Sequence, residues 1–139
     1  MNWILNNKAA FNIKAVIQGG DIVNQNDTDS QWARAKEAFH MLDGQVPYVL
    51  AAGNHDFGNN NFENRNTQYN TYFKITDNPL NNPATGGIIK GTFEANHLEN
   101  SYSTFTAPDG RKMLIFNLEY YPRQAVLDWA DSIAGQAQY

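Results

Sequence analysis

Pro47-Tyr48-Val49-Leu50-Ala51-Ala52-Gly53-Asn54-His55-Asp56 is the stretch that decides the fold. Its first six residues form an apolar run of strand length, continuous rather than alternating, as in a strand buried on both faces. The run stops abruptly in a polar turn. Upstream, Ile13 to Ile17 is a second run rich in β-branched residues, and it too ends in a turn, Gly19-Gly20-Asp21. Between the two runs, Trp32, Ala35, Phe39 and Leu42 recur at helical spacing and predict a helix from about Gln31 to Leu42. Asp27, Asp29 or Ser30 offers the N-cap of that helix, and Gly44 its close. Strand, helix, strand is a βαβ unit, which implies parallel pairing through a right-handed crossover.

Outward from this unit the pattern changes. Trp3, Ile4, Leu5, Ala9, Ala10 and Phe11 predict the end of an amphipathic helix before the first strand. After Asp56 an Asn-rich loop over 58–70 leads to a short helix around Thr67 to Phe73, and residues 76–91 read as irregular. Ser101 to Thr106 alternates polar and aromatic residues, Pro108-Asp109-Gly110 turns, and Lys112 to Leu118 is strongly apolar. That is an antiparallel hairpin. Pro122 opens a last helix that carries Ala125, Val126, Trp129, Ala130 and Ile133 on one side. The fold class is α/β, a single domain over 1–139 without internal repeat or linker. Trp32, Phe39, Trp129, Ile133, Tyr102 and Phe105 are the expected core.

Composition removes several function classes. Apolar residues make up 42% and aromatic residues 13%, which suits a packed core and not a disordered chain. The net charge is −4 and no Lys/Arg cluster occurs, so a nucleic-acid partner held through its phosphates is not expected. With no cysteine, a disulfide framework or thiolate metal site is ruled out. No apolar run reaches membrane-spanning length, and the N-terminus lacks the features of a signal peptide. The cellular compartment is not written in the sequence.

In a parallel α/β sheet, ligands gather beyond the carboxyl ends of the strands. Gly20-Asp21 and Gly53-Asn54-His55-Asp56 both follow parallel strands of one βαβ unit and are expected to open onto the same edge. An aspartate, an asparagine and a histidine there make a hard-oxygen site beside an imidazole, which suits a divalent cation. Each residue alone also fits a structural role: Asp21, Asn54 and Asp56 as turn or cap residues, His55 as a half-buried histidine.

Gly-Asp-Ile-Val-Asn at 20–24 followed by Gly-Asn-His-Asp at 53–56 resembles the second and third signature motifs of the calcineurin-like metallophosphoesterases, at the family's spacing. Asn100-Ser101-Tyr102, the strand to Leu118-Glu119-Tyr120, and Val126-Leu127-Asp128-Trp129-Ala130 extend the resemblance over most of the chain. It implies a metallophosphoesterase-like α/β sandwich and hydrolysis of a phosphomonoester or phosphodiester at two divalent metal ions, Mn, Fe or Zn. Asp21 would bridge the two metals and Asn54 would ligate the second through its amide oxygen. His55 would contact the phosphate and protonate the leaving alkoxide. Asp56 would hold the His55 ring in one tautomer, and Gly20 and Gly53 would allow the tight turns.

The family pattern also contains an upstream Asp-x-His or Asp-x-Gln motif, a later metal-binding histidine and a Gly-His-x-His motif. No such triplet precedes Asp21, and neither later motif follows. The resemblance therefore implies the middle of a longer domain, with weak or partial metal binding and an exposed sheet edge prone to self-association. The alternative is a non-catalytic module that keeps the fold without the chemistry. A serine esterase fails, because Asp21 stands where its nucleophile belongs. His40, His97 and Glu119 read as structural or surface residues, and Arg65 and Asn66 as minor candidates for substrate contact.

Overall fold

The computed structural model describes residues 1–58 and 65–136. The elements run α1 (Asn2–Asn7), β1 (Val16–Gln18), α2 (Asp29–His40), β2 (Tyr48–Leu50), a 3-10 turn (Asn54–Asp56), α3 (Tyr69–Tyr72), β3 (Ile89–Thr92), β4 (Ser101–Thr106), β5 (Lys112–Asn117) and α4 (Gln124–Gln136). A second 3-10 turn lies over Pro83–Thr85. The described residues form two sheets, a parallel pair β1–β2 and an antiparallel triplet β3–β4–β5.

The βαβ unit is where the sequence placed it. Val16 pairs with Tyr48, Ile17 with Val49 and Gln18 with Leu50, in parallel, with α2 between the strands. β1 is shorter than expected. After α1 the backbone keeps turning, with Ile13 N–H donating to the Lys8 carbonyl and Asn12 in the left-handed region at φ 51°. Ile13 thus closes the turn that follows α1 instead of starting a strand. Nor is β1 buried on both faces: Val16 packs on the core while Ile17, on the other face, is 58% exposed.

Helix α2 starts two residues early, with Thr28 as its N-cap in place of Asp27, Asp29 or Ser30. Trp32 and Phe39 on its inner face are buried and meet Tyr69, Tyr48 and Phe73. Leu42 completes that core just past the helix, and Gly44 takes the left-handed φ of 67° that closes the turn. Truncating a fully buried side chain such as Trp32 to alanine costs about 3–5 kcal/mol.

The free edge of β2 is covered by side chains rather than by a strand. The Asn81 amide accepts from Tyr48 N–H at 2.9 Å and donates to the Tyr48 carbonyl at 2.8 Å. The Leu50 carbonyl accepts from Asn117 Nδ2 and from the Tyr69 hydroxyl. Buried backbone groups need such partners, and asparagine carries both donor and acceptor.

Beyond this edge the expected hairpin is present, Ser101↔Asn117 to Thr106↔Lys112, with Gly110 at φ 88° in its turn. It belongs to a three-stranded meander, since Ile89–Thr92, expected to be irregular, pairs with β4 across a bulge. Asparagine, proline and glycine around it mask a four-residue strand. Helix α4 lays Trp129 against Phe93, Tyr102 and Phe116. Trp129, Ile133, Tyr102 and Phe105 are half-buried, not fully buried core. The Asn-rich loop expected over 58–70 lies outside the described residues between 59 and 64.

Candidate functional site

The two turns meet backbone to backbone. Gly20, at φ 112°, and Gly53 approach so closely that a Cβ on Gly20 would stand 3.1 Å from Gly53 Cα. A Cβ on Gly53 would stand 2.2 Å from Asp21 Oδ1 and 2.4 Å from Asp21 N. Glycine at both places is thus required by contact, not by turn preference alone. Gln18, the last residue of β1, braces the first turn: its side chain accepts from Gly20 N–H and donates to the Gly20 carbonyl. Asp21 follows in the left-handed region, at φ 52°, a conformation that aspartate tolerates better than most residues.

Asp56 is fully buried and ties the turns together. Its carboxylate accepts backbone N–H groups from Ile22 at 3.1 Å, Val23 at 2.9 Å and Gly53 at 2.8 Å. Burial pushes its pKa up, opposed by those three hydrogen bonds and reinforced by the nearby Asp21 charge. The expected contact between Asp56 and the His55 ring is not made. Asp56 spends its oxygens on backbone donors, and the ring finds another partner, with Nδ1 2.8 Å from the Asn24 carbonyl. A carbonyl only accepts, so Nδ1 carries a proton there and Nε2 is the nitrogen left for chemistry.

His55 and Asp21 are brought together directly: His55 N–H donates to Asp21 Oδ1 at 3.1 Å. Asn54 sits on the same 3-10 turn, exposed, and its side chain has no hydrogen-bond partner among the described residues. Beside His55 opens a cleft of about 270 Å³, walled by the loop 24–28, His55 and Phe57.

The remaining candidates lie elsewhere. The Arg65 guanidinium donates to the Tyr120 and Tyr121 carbonyls at 2.8 and 2.9 Å and sits over the Phe57 ring. The Asn66 carbonyl accepts from Gly58 N–H. Both therefore fasten the loop after the second turn. Glu119 is buried, receives Arg123 Nε at 2.7 Å and Asn100 Nδ2 at 3.0 Å, and accepts Arg123 N–H at the start of α4. Burial raises its pKa, but the hydrogen bonds from Arg123 and Asn100 outweigh that and hold it below the usual value. His40 lies between Asp43 and Asp77 where β2 begins, whereas the two turns lie where strands end. His97 is half exposed beside Glu99.

Asp21 and Asn54 are oxygen donors of the type a hard divalent cation takes. Yet among the described residues no group of three or more His, Cys, Asp or Glu is placed to hold a metal ion. The donor set of the described residues does not fit two metals. Sequence reasoning missed Gln18 and the clamping role of Asp56. Neither has a motif of its own, since each acts on backbone N–H groups whose directions appear only after folding.

Among known proteins, a family model described as calcineurin-like phosphoesterase matches residues 1–135. The uncharacterized protein YvnB of Bacillus subtilis (strain 168) is 42% identical over 57 residues, which is 40% of this chain and 4% of that relative's length. No solved structure matches.

Proposed function

We infer that this chain, which belongs to the calcineurin-like phosphoesterase family, supplies part of a centre that hydrolyses a phosphate ester. The observation that carries the reading is the His55 N–H bond to Asp21 Oδ1 at 3.1 Å. It seats the histidine and the carboxylate on one surface at the ends of two parallel strands. Asp21 and Asn54 are the oxygen ligands this chain offers to a divalent cation. His55 faces the ester phosphate. Water adds to phosphorus and gives up a proton to solvent, the ester P–O bond breaks, and the departing alkoxide oxygen takes a proton from His55 Nε2. Asp56 serves as a positioning residue, holding Ile22, Val23 and Gly53 so that the two turns stay in register.

The second reading is a non-catalytic module, favoured by the absence of a three-ligand cluster among the described residues. Hydrolysis of bis(p-nitrophenyl) phosphate with added Mn²⁺ separates the two. Turnover above that of Mn²⁺ alone, lowered roughly 10²–10⁴-fold in His55→Ala, supports the first. Turnover no greater than that of Mn²⁺ alone supports the second.

A further inference from the structure

The cleft beside His55 has mostly polar walls. Its lining residues Asn24, Gln25 and Asn26 carry carboxamides, Thr28 a hydroxyl that donates to Gln25 Oε1 at 3.3 Å, and Asp27 a carboxylate that accepts from Asn26 Nδ2 at 3.0 Å. Phe57 is 2% exposed and offers almost no apolar surface. Among the described residues, no lysine or arginine lines the cleft. We propose that it takes the uncharged, hydroxyl-bearing organic part of the phosphate ester, a polyol or sugar, and that Asn24 and Gln25 select it. The proposal rests on the phosphoesterase reading of His55.

The chemistry of the walls decides against other occupants. A second phosphate would meet the Asp27 carboxylate, and among the described residues no lysine or arginine lines the cleft to offset the repulsion. An alkyl chain would strip water from the carboxamides and return no hydrogen bonds. Hydroxyl groups donate and accept, as the amides do. The walls are also held in place before a ligand arrives, which lowers the ordering cost of binding. Gln31 Oε1 accepts Asn24 N–H at 2.8 Å and Gln25 N–H at 3.0 Å. The Asn26 carbonyl accepts Trp32 Nε1 at 2.7 Å and Gln68 Nε2 at 3.0 Å. The Asn24 carbonyl is itself the anchor of the His55 ring. An ester whose phosphorus faces His55 therefore extends its organic part along residues 24–28.

The test is an amide-resolved NMR titration of the full chain with inorganic phosphate, glycerol 1-phosphate, n-butyl phosphate and pyrophosphate. Glycerol 1-phosphate is expected to move the signals of residues 24–28 together with His55. It is expected to bind roughly threefold to tenfold tighter than n-butyl phosphate, the worth of one net hydrogen bond. Gln25→Ala, at an exposed position, should erase that difference and leave inorganic phosphate binding unchanged. Equal affinity for the glycerol and butyl esters, or a preference for pyrophosphate, with His55 still responding, overturns the subsite alone. No response of His55 to any of the four overturns the phosphoesterase reading and the subsite with it.

Discussion

Asp56 and Val23, 33 residues apart, are joined by a carboxylate–backbone hydrogen bond of 2.9 Å; this bond and the one from Ile22 bind the second turn to the first, and a third, from Gly53, closes the second turn itself. Because all three donors are backbone groups, any residue that cannot accept from them leaves buried N–H groups unpaired. Asp56→Asn keeps the shape but turns an NH₂ toward at least one N–H. It should lower stability by about 1–3 kcal/mol in urea unfolding, and Asp56→Ala by more.

Gly53 is fixed by the neighbour a Cβ would strike. Gly53→Ala places that carbon 2.2 Å from Asp21 Oδ1, so the turns must separate. A loss of about 1–3 kcal/mol is expected, with the His55–Asp21 contact broken. Gly19→Ala, one turn away, meets nothing within 4 Å and should leave the urea midpoint almost unmoved.

Asn81 replaces a missing strand at the edge of β2. Asn81→Ala strands both the N–H and the carbonyl of Tyr48. Thermal unfolding should report a cost of about 1–3 kcal/mol for each group left unpaired. A change within a few tenths would mean that water reaches this edge.

Glu119 sets an acid limit on the fold. Its pKa is held below the usual 4.5 by Arg123 and Asn100, against the opposing effect of burial. A carboxylate depressed in the folded state contributes stability that is complete above its unfolded pKa. That contribution is lost as pH falls through the folded value. Urea midpoints should therefore decline on acidification below about 4.5. Glu119→Gln should be less stable at neutral pH and show a shallower acid decline.

The βαβ unit was legible because its signals are local: continuous apolar runs, a helical stripe through Trp32 and Phe39, and glycine turns. The Gly-Asn-His-Asp turn was legible as chemistry for the same reason. What escaped depends on side chains that serve distant backbone. Asn81 lies in a stretch that reads as irregular, yet it completes the edge of β2, and β3 follows within ten residues. Asp56 looked like a partner for its neighbour His55, but three N–H groups, two of them from the other turn, compete for it and win. Ile17 reads as core because β-branched residues usually are, and alternation along a short strand puts it outside.

The most direct test of the central claim is a calorimetric titration with Mn²⁺ of the wild-type chain beside Asp21→Asn. Asparagine tolerates the left-handed φ of 52° and keeps an oxygen for His55 N–H, so the variant removes the charge and spares the turn. Weak, saturable binding of fewer than two ions, lost in the variant, is the result predicted for a partial site built on Asp21 and Asn54. Equal binding by both proteins, or no binding by either, would contradict it.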